Sequence, residues 1–157
     1  MPLGVYRDVG ERLSKLELPF NRFGVDPFGI SRRHLRYAIS SLAWLYRHYF
    51  DVHVHHVDRV PPRGRAMLVG NHSGGVAVDA AMTMVSLIME KDPPRLAQGM
   101  ADKFLNRVPF FSQWTHRCGQ FTGLPEHAVK LLEDERLLMV FPEGARGRVR
   151  GPSRRNR

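Results

Sequence analysis

The chain has 157 residues, 43% hydrophobic and 25% charged, with a formal net charge of +9. That is enough apolar chain for one domain with its own core, and a single cysteine, Cys118, excludes an internal disulfide and suits a reducing compartment. The charge invites a nucleic-acid reading, but the last eleven residues, GRVRGPSRRNR, hold five arginines and the rest holds 19 basic against 15 acidic residues, so the excess is a tail plus small clusters such as Arg32-Arg33, and the remainder also suits a surface facing anionic lipid.

The N-terminus, MPLGVYRDVGERL, lacks the apolar core of a secretory signal. A short helix is predicted near Tyr6 to Leu16, then a loop through Pro19, Gly24, Pro27 and Gly29. SRRHLRYAISSLAWLYRHYF, 31–50, predicts a stronger helix. Ser31 can cap it, and Leu35, Ile39, Leu42, Leu45, Tyr46 and Tyr49 recur at helical spacing. Its aromatics and arginines suit either a membrane interface or a helix packed on the core.

DVHVHHVDRVP alternates like a strand, with Val52, Val54 and His56 on one face. PPRG turns the chain, and RAMLVG predicts a buried strand. Val76 to Glu90 reads as a helix ended by DPPR. Its apolar part falls short of the roughly 20 residues of a bilayer span. RLAQGM is the next strand, and FLNRVPFFSQWTHRCG mixes helix and loop. PEHAVKLLEDE is a helix opened by Pro125, and RLLMVFPEG is a strand running into a glycine turn. Strands alternating with helices predict an α/β fold, a layered sheet with helices on its faces and sites at the carboxyl ends of strands. No internal repeat is visible. The expected organisation is an N-terminal helical segment, 1–50, suited to facing a membrane, then a core over 51–147 and a basic tail over 148–157.

Two stretches carry chemistry. VGNHSGGVAVD places Asn71, His72, Ser73 and Gly74 where a strand ends, and Asp79 seven residues after the histidine. FPEGARG places Phe141, Pro142, Glu143, Gly144 and Arg146 at the end of another strand. Loops after strands of one open sheet can meet at one edge. A histidine titrating near neutrality can take the proton of an attacking hydroxyl. A carboxylate on its other ring nitrogen would orient the ring and stabilise the imidazolium. Gly74 and Gly75 leave the turn uncrowded. The Gly144 turn offers backbone N–H groups, and Arg146 a forked donor for an anionic group.

GNHSGG with its later aspartate, followed about 60 residues on by VFPEGARG, resembles the glycerolipid acyltransferase superfamily of the lysophospholipid-acyltransferase type. GQFTGLPEHAVKLLEDERLLMVFPEGARG is similar to a branch related to diacylglycerol and phytyl-ester acyltransferases. The resemblance covers about residues 50 to 147 and makes 51–147 a partial acyltransferase core. It implies transfer of an acyl group from acyl-CoA or acyl carrier protein to a hydroxyl of a lipid. His72 would be the general base and Asp79 its orienting acid. Asn71, Ser73, Gly74, Phe141, Pro142, Glu143, Gly144 and Arg146 would bind substrate. No cofactor and no metal are implied. The partners implied are the acyl donor, the lipid acceptor and a membrane surface, with no nucleic acid. The location would be cytoplasmic and peripheral to a membrane.

Three departures from the family pattern stand out. Six residues separate His72 from Asp79 where four are usual, and Ala77 occupies the four-residue position. GQFTGLPE lacks the arginine that phosphate-acceptor members carry after their aromatic residue, so a lysophosphatidate acceptor is not implied. The arginine-rich tail does not resemble the family's continuation beyond FPEG. The expectation is a fold incomplete at its C-terminus and a chain inactive by itself.

Plainer readings exist for each residue. His72 could cap or fill a core, Asp79 could favour a helix start, Glu143 could end a strand, and Arg146 could lie on the surface. His53, His55 and His56 resemble a metal cluster, but His56 points away from the other two on a strand and no cysteine is near. They read as a polar strand face. Cys118 reads as a small core residue. The rival function is a non-catalytic remnant or lipid-surface binding module.

Overall fold

A computed structural model describes residues 3–71, 78–101 and 110–142. Two helices come first, α1 (Leu3–Ser14) and α2 (Arg32–His48). α1 begins and ends earlier than its spacing predicts. Val5, Val9 and Leu13, four apart, form its buried stripe. α2 is capped as predicted: the Ser31 Oγ accepts the His34 N–H at 3.5 Å. Its inner face buries Leu35, Ile39, Ala43 and Tyr46. Both helices pack on α3 (Val78–Met89). Val9, Leu13, Leu35, Ile39, Val85 and Ile88 therefore share one apolar cluster, so the inner faces of α1 and α2 are part of the core.

The strands are β1 (Ala66–Val69), β2 (Ala97–Ala101), β3 (Gln120–Thr122) and β4 (Leu137–Val140). They form one sheet in the order β1-β4-β2-β3, with every pairing parallel. Helices α4 (Phe111–Arg117) and α5 (Pro125–Glu133) flank β3, and α5 opens on its proline as predicted. Alternate residues of β4 divide between two clusters. Leu138 joins the larger one with Leu131, and Leu137 and Met139 join a smaller one with Leu87 and Ala97. This is the α/β class read from the sequence.

Three differences have physical causes. Residues 51–61 are not a strand. Val52 and Val54 do pack inward and His53 and His55 face out, while His56, expected on the valine face, is exposed, so the alternation is real only as far as His55. However, Asp51 and His56 have positive φ of 45° and 59°, and a 3-10 turn follows at Val57–Arg59. The segment follows the surface without a ladder partner. RAMLVG is only half buried, because Met67 and Val69 share one face of β1 and are 48% and 63% exposed. β3 was not anticipated, since three residues, Gln120 to Thr122, are too few to show a period.

The loop before α2 is tied down by a buried ion pair. Arg136, just before β4, holds its Nη1 3.1 Å from Asp26 Oδ2, and the two side chains are 4% and 0% exposed. Asp26 Oδ1 also accepts the Phe28 and Ile30 N–H groups at 3.0 and 2.8 Å. Arg136 lies over the Phe28 ring and reaches Asp134 through Nε at 2.5 Å.

Candidate active site

β4 sits between β1 and β2, so the two strands that open the motif loops are neighbours despite their distance in sequence. Their register pairs Ala66 with Leu137 and Val69 with Val140. The parallel ladder continues one rung further, where the Gly70 N–H donates to the Val140 carbonyl at 3.2 Å. Asn71 and Phe141 thus leave the same end of the sheet from adjacent strands. Gly70 is closely packed here. A Cβ at this position would stand 3.3 Å from Cε1 of the Phe141 ring, a tight contact that a shift of the ring by a few tenths of an ångström would relieve.

Asn71 and Pro142 are exposed, and Phe141 is partly buried against the smaller apolar cluster. Asp79 lies in the first turn of α3, the helix that follows the first motif loop, and is partly buried. Its Oδ1 accepts the Ala80 N–H at 2.8 Å, and its carbonyl accepts the Thr83 hydroxyl at 2.9 Å. A carboxylate there is also favoured by the helix N-terminus. Of the expected site residues, the described ones are Asn71, Asp79, Phe141 and Pro142. His72, Ser73, Gly74, Glu143, Gly144 and Arg146 lie outside the described residues.

The opposite end of the sheet is polar and was not anticipated. A cavity of about 290 Å³ there is lined in part by Glu17, Arg63, Arg95, Gln98 and Arg136. Arg95 donates to the carbonyls of Pro61 and Gly64 at 2.9 and 2.8 Å and so fixes the turn before β1. A wider groove of about 510 Å³ runs between Gly29 and α4, past His116 and Arg117. Partial burial moves the His116 imidazole below its usual range, against the opposing pull of Asp26. The buried arginines gave no periodic signal. The one cue in the sequence was DPFGI, where an aspartate before a tight turn can bond the backbone two residues on.

Among the described residues no group of three or more histidine, cysteine, aspartate or glutamate side chains is placed to hold a metal. His53 lies 3.5 Å from Asp51, both exposed. No described helix is long and apolar enough to cross a membrane.

The family model described as Acyltransferase matches residues 51–156, and the chain belongs to that family. An uncharacterized protein of Mycobacterium tuberculosis (strain H37Rv) is 29% identical over 127 residues, 80% of this chain and 35% of the relative. A protein of Mycobacterium leprae, also uncharacterized, is 27% identical over 127 residues, 80% of this chain and 34% of the relative. A cattle (Bos taurus) protein named "DGAT1/2-independent enzyme synthesizing storage lipids" is 28% identical over 93 residues, 59% of this chain and 27% of the relative. The chain spans about a third of the length of the curated relatives it matches. No solved structure matches it.

Proposed function

We propose that the chain carries the donor and acceptor motifs of an O-acyltransferase. It moves an acyl group from the thioester of acyl-CoA or acyl carrier protein to a hydroxyl of a glycerolipid or other lipid alcohol. His72 takes the proton of the acceptor hydroxyl. The freed oxygen attacks the thioester carbonyl, the carbon–sulfur bond breaks, and the leaving thiolate recovers the proton from the imidazolium. Asp79 orients the imidazole and stabilises its charged form. Asn71, Ser73 and Gly74 shape the first loop. Phe141, Pro142, Glu143, Gly144 and Arg146 hold substrate from the second, with Arg146 facing an anionic group. No acyl-enzyme is needed, because the motifs position no serine or cysteine nucleophile. The protein works at a membrane surface, attached from the cytoplasmic side without spanning it.

The observation that supports this reading most is the register Val69 to Val140, which starts both motif loops from adjacent strands at one end of the sheet. The name of the cattle relative supports a lipid acceptor. The test is incubation of the chain, joined to the carboxy-terminal part of its Mycobacterium tuberculosis relative, with a labelled acyl thioester and a panel of lipid alcohols, comparing wild type with His72→Ala. Ester formation that depends on His72 is the expected result. Ester formation that is indifferent to His72→Ala would refute the assignment of the base.

A further inference from the structure

The outer face of α2 is not accounted for by packing. Arg33, Tyr37, Trp44 and His48 follow one another at spacings of four, seven and four, which puts them on one stripe of the helix. The stripe lies away from the buried Leu35, Ile39 and Tyr46 and is about 22 Å long at the usual helical rise. Tyr37 and Trp44 are 43% and 40% exposed, and the stripe runs on into Tyr49 and Phe50, 71% and 42% exposed. These large rings stand in water at a cost that a packed core would have removed.

The helix as a whole is cationic. α2 contains four arginines, two histidines and no carboxylate. Among the described residues only Arg47 of these arginines is in an ion pair, with Asp8. The others lie over rings instead: Arg33 over Tyr37 at 6.0 Å, Arg36 over Tyr6 at 3.9 Å and Arg32 over Phe20 at 4.6 Å. At the amino end of the helix the 20–24 loop adds Arg22, 4.7 Å above the ring of Phe23, itself 75% exposed. The Arg32 N–H holds that loop in place by donating to the Gly24 carbonyl at 2.8 Å.

We propose that this stripe, Arg33–Tyr37–Trp44–His48 with Tyr49, Phe50 and the Arg22–Phe23 tip, is a docking face for an anionic lipid bilayer. Tyrosine and tryptophan settle at the boundary of headgroups and acyl chains, because one end of each ring is apolar and the other can stay wet. Arginines in the same plane meet lipid phosphates and anionic headgroups. The face is the convex side of a helix and not a cleft, so it suits a broad planar partner. The helix is rigidly seated on the core through α1 and α3, so docking would fix the orientation of the whole sheet. The choice of lipid as partner rests on the acyltransferase reading, but the binding is tested without it.

The experiment is co-sedimentation of the full chain with vesicles of phosphatidylcholine alone and vesicles in which part of it is replaced by phosphatidylserine. It is run at low salt and near 0.15 M, where charges are screened beyond about 8 Å. The expected result is salt-sensitive binding to the anionic vesicles only. Arg32→Gln with Arg33→Gln should weaken it by about fivefold for each charge lost, and Tyr37→Ala with Trp44→Ala should weaken it further. Circular dichroism checks each variant's helix content. Trp44 fluorescence, read in a Trp114→Phe background, should shift to the blue on anionic vesicles and needs no surface variant. Equal binding to neutral vesicles would overturn the proposal. So would no binding at low salt, an unshifted Trp44, or capture by a single-stranded oligonucleotide in preference to vesicles. His72→Ala should bind vesicles like wild type, so loss of docking and loss of acyl transfer are separate results.

Discussion

The backbone N–H of Gly70 reaches the carbonyl of Val140 at 3.2 Å, and the ring of Phe141 fills the space where a Gly70 side chain would be. This contact lies where the two strands that lead into the motif loops end. A branched side chain at position 70 would press on the Phe141 ring, which would have to shift to make room.

Gly70→Val is therefore expected to destabilise the fold by about 1–3 kcal/mol, the usual cost of overpacking, and to reduce acyl transfer beyond what its stability loss explains. Phe141→Leu in the same chain should restore part of the stability. Chemical denaturation of the two single variants and the double variant measures the coupling. Strictly additive losses would show that the two residues do not press on each other.

Asp79 separates a chemical role from a structural one. If it orients His72, Asp79→Asn lowers kcat by on the order of 10²–10⁴ with little change in KM. A carboxylate serving only the start of α3 would cost about 0.3–1 kcal/mol of stability and leave the rate of the folded protein alone. Turnover and the denaturation midpoint, read on the same samples, distinguish the two.

Asp26 and Arg136 bury opposite charges that hold the loop before α2 onto the start of β4. Removing one partner strands the other charge, so Asp26→Ala and Arg136→Met are each expected to cost about 3–5 kcal/mol. The double variant should lose less than the sum, because no buried charge remains unpaired. Asp26 also holds two backbone N–H groups, so the double variant does not return to wild type. Equal losses in every background would show that the ion pair contributes nothing.

Cys118 is buried, and burial pushes its thiol up to about 11. An unfolded cysteine titrates near 8.5. Below that value both states keep the proton and the contribution is full. Above it the unfolded chain loses the proton first, so stability falls as pH rises from about 8.5 towards 11, at no more than about 1.4 kcal/mol per pH unit. Denaturation from pH 8 upward should show a steeper fall in wild type than in Cys118→Ala. The same thiol should resist alkylation until the protein unfolds. Parallel pH slopes, or rapid alkylation of the native chain, would contradict the assignment.

What the sequence made legible was whatever repeats or caps. Ser31 at the head of α2, Pro125 at the head of α5 and the apolar runs of β1, β2 and β4 all carry local signals, and each element forms there. Residues 51–56 misled because alternating burial is only half of what makes a strand, and the other half, a hydrogen-bonded neighbour, is not written locally. The adjacency of β1 and β4 depends on strand order, which pattern alone does not give. The buried pair of Asp26 and Arg136 was hidden for a similar reason, since its members stand far apart in the chain. Of the candidate site, the sequence offered the residues, and the fold adds that the two strands leading into their loops are neighbours.

The central claim, His72-dependent acyl transfer to a lipid hydroxyl, is tested most directly by following a labelled acyl group from thioester to lipid alcohol. The assay uses the chain alone and the chain joined to the carboxy-terminal part of its Mycobacterium tuberculosis relative, with the His72→Ala variant of each. The chain spans about a third of the length of its relatives, which leads us to expect little or no transfer by the chain alone. The account predicts labelled ester from the joined protein and a loss of at least about 10²-fold on His72→Ala. Undiminished ester formation by His72→Ala, or none from the joined protein with any alcohol on the panel, would contradict it.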